Sequence, residues 1–237
     1  MKKLTFMIST AVLASAFVAA PGLPINPVTM VSSAHAEEPK KKKRHPGKRL
    51  YLRKSCLACH GKGGARSIQN YPNVSGQPEK YIAQQIKDIL SGKRVGSHDE
   101  NGAMRTSPMT GALITPEGKV RVSDDDIKKI ANYLSLQPPG KVRPLETPLT
   151  DVQIKAAKKL YKKKCRACHG KGALKPLKNY PIIAGQNKAY LIAQINDVKN
   201  KIRKNGKIKS MYPVVKKLTD EQIDLLGSYL SQIDRSK

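Results

Sequence analysis

Cys56, Cys59 and His60 form a C-x-x-C-H group in the stretch KSCLACHGKG, and Cys165, Cys168 and His169 repeat it 109 positions later in KKCRACHGKG. These four are all the cysteines in the chain. Two cysteines three apart on a helical turn project to one side, and a histidine directly behind them can turn back over the same point. This is the attachment pattern of c-type haem: the thiols form thioethers with the two vinyl groups, and a neutral imidazole nitrogen of His60 or His169 faces the iron. A structural zinc site would gather all four cysteines, a thioredoxin-like pair would sit in a βαβ context, and disulfides would leave the two histidines without a purpose. The expected cofactors are therefore two covalently attached haem c groups.

Such an iron needs a sixth ligand or an open position. In the second half the only methionine is Met211, in KSMYPVV, where a loop can fold over the distal face. The first half offers Met104 and Met109 in GAMRTSPMTG; pairing TSPM with KSM favours Met109, with Met104 as the alternative. His98 is a third possibility, but it has no counterpart in the second half and reads as a surface residue.

The elements that must position these groups come from a duplication. At an offset of 109, Tyr71, Pro72, Gly76, Gln77, Tyr81 and Asp88 recur as Tyr180, Pro181, Gly185, Gln186, Tyr190 and Asp197. Towards the ends the offset falls to 96, where SDDDIKKIANYLS matches TDEQIDLLGSYLS. The 13 extra residues of the first copy belong in ENGAMRTSPM and ITPEGKVRV. The period is that of a duplicated domain, too long for a solenoid.

Ile127, Ile130, Ala131 and Leu134, like Ile223, Leu226, Gly227 and Leu230, keep the i, i+3, i+4, i+7 spacing of a helix with one buried face. Ser123 and Thr219 stand at N-cap positions, and Thr219 with Gln222 and Thr150 with Gln153 make capping boxes. Pro78 suits a first helical position ahead of Ile82, Ile86 and Ile89. No stretch alternates as a strand should. The fold class is all-α: two tandem copies, each a small domain of a few helices with long loops.

The boundaries read as a signal peptide over 1–36, a basic tail over 37–45, a first domain over 46–138, a linker over 139–148 and a second domain over 149–237. The segment up to AHA has the charged start, apolar middle and small-x-small end of a secretory signal, predicting cleavage after Ala36 and work outside the cytoplasm. Both phenylalanines, Phe6 and Phe17, leave with it, and the chain has no tryptophan. Domains of about 90 residues with so little aromatic bulk need something large and apolar in the core.

CLACHGKGG, YPNVSGQPEKYIAQQI, SPM and SDDDIKKIANYLS, with their second copies, resemble the two-haem class I c-type cytochromes, in particular the cytochrome c4 family. The resemblance runs from about Lys48 to Ser231. It implies a pseudo-twofold pair of cytochrome c folds, His and Met ligation of each iron, and a periplasmic electron carrier rather than an enzyme. Iron with both axial positions filled passes electrons and has no place for a substrate.

The formal charge of +28 becomes +26 without the signal, and it is uneven. Fifteen basic against eight acidic residues give the first domain +7, while twenty-one against six give the second +15. Nucleic acid is a poor partner for an exported chain without aromatics interleaved among its lysines. Steering towards acidic redox proteins or a terminal oxidase fits better, with Lys201, Arg203 and Lys204 as docking charges and Lys93 and Arg94 as their weaker counterparts. Peripheral membrane association is compatible with such a charge. The alternative is a diheme subunit of an oxidoreductase such as a flavin-containing sulfide dehydrogenase, bound to a flavoprotein; a diheme peroxidase or thiosulfate dehydrogenase would need an open or unusual iron.

Overall fold

The computed structural model describes residues 45–236. The expected signal over 1–36 and the tail before His45 lie outside the described residues.

The first copy runs α1 (Pro46–Arg53), α2 (Cys56–His60), α3 (Glu79–Leu90), α4 (Ser107–Leu113) and α5 (Asp124–Ser135). The second runs α6 (Asp151–Lys164), α7 (Arg166–His169), α8 (Lys188–Lys199), α9 (Ile208–Val215) and α10 (Asp220–Ser231). The duplication thus extends to the element order, and the described residues contain no strand, only the isolated bridges His98↔Met104 and Ile114↔Val120.

Each copy crosses its first helix against its last. In the first, Gly47 of α1 comes so close to α5 that a Cβ there would sit 1.9 Å from the Lys129 carbonyl oxygen. In the second, the position is filled by Ala157, fully buried. Ile127, Ile130, Ala131 and Leu134 all face the first core, and Ile223, Leu226 and Leu230 the second, as their spacing requires. Ser123, Thr150 and Thr219 cap α5, α6 and α10 in complete boxes, Ser123 taking Asp126 as its partner.

Two local expectations change, and one helix was not expected. Pro78 is the N-cap of α3 rather than its first helical residue: its ψ of 129° is extended, and Glu79 begins the helix. The methionine segments are short helices, α4 and α9, rather than loops; Pro108 sits in the first turn of α4, where its missing N–H costs nothing. Helix α1, a short lysine- and arginine-rich stretch, is held by tertiary packing of Tyr51 and by the His45 ring, whose Nδ1 accepts from the Gly47 N–H.

The extra residues of the first copy fall on both sides of α4. Sixteen residues separate α3 from α4 against eight between α8 and α9, and ten separate α4 from α5 against four in the second copy. The two isolated bridges close these insertions.

The copies meet through a reciprocal polar interface. Gln77 of the first bonds the backbone of Ile182, and Gln186 of the second bonds the backbone of Asn73, the residue equivalent to Ile182. Arg94 donates to Tyr190 and Gln194, while Arg203 donates to Gln85 and Gln194. Arg94 and Arg203 are equivalent positions, so the interface has the pseudo-twofold character that the duplication leads one to expect.

Candidate functional site: two haem pockets

Each C-x-x-C-H group occupies a single helical turn ended by glycine. Gly61 follows His60 with φ of 72° and Gly170 follows His169 with φ of 77°, values that favour glycine. A Cβ at Gly61 would lie 2.1 Å from the Arg66 carbonyl oxygen, and one at Gly170 1.8 Å from that of Lys175. The chain therefore turns sharply off the histidine and leaves the imidazole facing inward.

A second tie holds this turn. Tyr51 donates its hydroxyl to the Gly61 carbonyl at 2.7 Å, and Tyr161 donates to that of Gly170 at 2.6 Å. Burial raises the pKa of both phenols, which keeps them protonated donors.

The imidazoles are fixed by one hydrogen bond each. His60 Nδ1 lies 2.9 Å from the Pro72 carbonyl oxygen and His169 Nδ1 3.0 Å from that of Pro181. A carbonyl oxygen only accepts, so Nδ1 carries the proton and Nε2 keeps its lone pair free. Burial lowers the pKa of both rings, keeping them neutral as a metal-facing imidazole must be.

These groups open onto one cavity of about 1630 Å³ lined from both copies. Cys56, Cys59, His60 and Met109 line it in the first copy, and Cys165, Cys168, His169 and Met211 in the second. Met104 and His98 do not line it; they pair with one another in the first insertion, with His98 exposed. Tyr71 and Tyr180 also line the cavity, and the Tyr180 ring stands edge-on to His169 with centroids 6.2 Å apart.

The residues fit haem. All four cysteines are free, and burial pushes the Cys56 thiol up to about 11 and Cys165 up to about 12, the reverse of a redox-active thiolate. Among the described residues no three His, Cys, Asp or Glu side chains gather as a zinc site would need. Leucine and isoleucine from α3, α5, α8 and α10 give the walls apolar character, while Arg94 and Arg203 bring positive charge where the copies meet. Among the described residues neither arginine forms an ion pair with a carboxylate. The cavity thus offers thiols, imidazoles, an apolar volume and cations suited to the carboxylates that a haem carries.

Sequence reasoning missed Tyr51, Tyr161 and the roles of Pro72, Pro181, Gln77 and Gln186. The recurrence of the last four at offset 109 was the available signal. The tyrosines recur at offset 110, because Ser55, in a left-handed conformation with φ of 57°, adds a residue ahead of the first cysteine.

Two helical domains, each with a C-x-x-C-H turn opening onto an apolar cavity, define a diheme c-type cytochrome. A family model described as cytochrome c matches residues 45–137, and one described as cytochrome C oxidase, cbb3-type, subunit III matches 152–230. Cytochrome c4 of Stutzerimonas stutzeri is 32% identical over 185 residues, covering 74% of this chain and 82% of its own. A thiosulfate dehydrogenase electron acceptor of Thiomonas intermedia (strain K12) is 31% identical over 186 residues, covering 75% and 77%. The crystal structure of reduced recombinant cytochrome c4 from Pseudomonas stutzeri aligns with a TM-score of 0.63 at 29% identity, over 79% of this chain and 97% of that one. The chain belongs to the cytochrome c4 family: it is an electron-transfer protein with two covalently bound haem c groups.

Proposed function

We propose that Cys56 and Cys59 attach the first haem and Cys165 and Cys168 the second, that His60 and His169 are the proximal ligands, and that Met109 and Met211 close the distal sides. The single observation that carries this reading is that each copy turns a histidine with a free Nε2 and one methionine onto the same cavity. Haem iron supplies one-electron chemistry between its ferrous and ferric states. His60 with Met109 and His169 with Met211 would hold the two irons, the apolar wall would exclude water, and the bonds from Nδ1 to Pro72 and Pro181 would fix the imidazoles, so that electrons would pass with little rearrangement.

The domain limits follow as 46–138 and 149–237, joined by residues 139–148. The carrier is exported after loss of residues 1–36 and works in the periplasm, in a respiratory chain. The leader-like composition of that segment supports export; among the described residues no helix is long and apolar enough to cross a membrane. The partners are acidic redox proteins, which the +15 of the second domain would steer. The match of the second copy to a cbb3-type oxidase subunit model supports a terminal oxidase as acceptor.

A second reading has one supporting observation. Similarity to a thiosulfate dehydrogenase electron acceptor favours service to a dedicated dehydrogenase over free diffusion among partners. Copurification decides between them: a stoichiometric dehydrogenase, flavoprotein or otherwise, selects the dedicated role, and a free chain selects the shuttle. Axial ligation is tested by the spectra of Met109→Ala and Met211→Ala, each of which should lose one methionine-ligated haem.

A further inference from the structure

The peptide unit that receives each histidine is held from its other side by the opposite copy. The Pro72 carbonyl accepts from His60 at 2.9 Å, and the N–H of the same peptide, on Asn73, donates to Gln186 Oε1 at 2.8 Å. Gln186 Nε2 returns to the Asn73 carbonyl at 2.8 Å. The second copy mirrors this: the Pro181 carbonyl accepts from His169 at 3.0 Å, the Ile182 N–H donates to Gln77 Oε1 at 2.9 Å, and Gln77 Nε2 donates to the Ile182 carbonyl at 2.7 Å. Gln77 is 4% and Gln186 7% exposed, so water does not compete for these bonds.

We propose that Gln77 and Gln186 are crossed positioning residues, each setting the reduction potential of the haem in the other copy. Hydrogen bonds in series polarise one another. A peptide whose N–H is drawn to a glutamine oxygen carries more electron density on its carbonyl oxygen, and it accepts more strongly from the imidazole Nδ1–H. The imidazole becomes a better donor at Nε2, which favours ferric iron and lowers the potential. Gln186 in the second copy therefore tunes the iron facing His60, and Gln77 in the first tunes the iron facing His169. Closure of the copies on each other and the two potentials are one linked property, so a partner that pries the interface open raises both.

The inference rests on His60 and His169 as iron ligands. That reading is tested separately by His60→Gly, whose first haem should lose its low-spin spectrum and regain it with added imidazole.

The experiment is a redox titration of the holoprotein followed by NMR, with the haem methyl signals of each copy assigned by residue-specific labelling. Gln186→Met, close in shape but a weak acceptor, should raise the potential of the first haem and leave the second nearly unchanged; Gln77→Met should do the reverse. Gln→Glu variants keep the acceptor oxygen and should lower the potential more at the opposite haem than at the near one, which decides the matter if a Met variant does not fold. A shift confined to the haem of the mutated copy, equal shifts at both haems, or no shift would overturn the proposal.

Discussion

Arg203 of the second copy donates from Nη2 to Gln85 Oε1 of the first at 2.9 Å, although 118 residues separate them. The same guanidinium bonds Gln194 at 2.7 Å and Asn205 at 3.0 Å, and the side chain is buried. Arg203 is therefore an interface residue and not the docking charge that its place in a lysine run suggests. Arg203→Met should cost about 3 kcal/mol in chemical denaturation, because it removes three bonds from a charged donor and takes from the buried Asn205 Oδ1 the donor it accepts from, while Arg94 still serves Gln85 and Gln194. Lys201→Met and Lys204→Met, both exposed, should stay within about 0.5 kcal/mol.

Docking charges must then be sought among the exposed lysines. Lys201→Glu with Lys204→Glu should slow electron transfer with an acidic partner, and added salt should shrink the difference, since screening acts within about 8 Å at physiological ionic strength. Lys80→Glu with Lys93→Glu in the first copy should slow it less, given +7 there against +15. Arg94 is unsuitable for this comparison because it is tied to Tyr190. Equal slowing by both pairs in stopped-flow traces would assign the lysines to solubility.

Gly47 marks the tightest approach between α1 and α5. Gly47→Ala would place a Cβ 1.9 Å from the Lys129 carbonyl oxygen and 2.7 Å from Tyr133 Cβ, with backbone on one side and no flexible tip to yield. The helices must separate, at a cost of about 3 kcal/mol or more, read as a lower denaturation midpoint of the first domain. Ala157→Gly at the equivalent site should cost only about 1 kcal/mol.

The hydroxyls of Tyr51 and Tyr161 do one job each, binding the glycine carbonyl behind the histidine. Tyr51→Phe and Tyr161→Phe should each lose about 1 kcal/mol and lower Tm by about 2–4 °C, with the haem spectra retained.

The duplicated fold was legible because the repeat preserves what physics demands in each copy. The C-x-x-C-H turn, the capping boxes at Thr150 and Thr219 and the apolar stripe from Ile127 to Leu134 are local patterns with local causes. Helix α1 was not legible, since its stability comes from a buried Tyr51 and from Gly47 lying against α5, contacts 80 residues away in the chain. Arg94 and Arg203 looked like surface charge for the same reason: sequence shows a basic residue, and only the fold shows the tyrosine and glutamines that receive it. The methionines fell between these cases. Pairing TSPM with KSM separated Met109 from Met104 by alignment, and the fold adds that Met109 lines the cavity while Met104 pairs with His98.

The most direct test of His and Met on both irons is the visible spectrum of the oxidised and reduced holoprotein, taken alongside its Met109→Ala, Met104→Ala and Met211→Ala variants. Low-spin haem with a methionine-sulfur charge-transfer band in the oxidised form is expected. Met109→Ala and Met211→Ala should each remove about half of that band, and Met104→Ala none of it. High-spin iron in the unaltered protein, or loss of the band in Met104→Ala while Met109→Ala retains it, would contradict the proposed ligation.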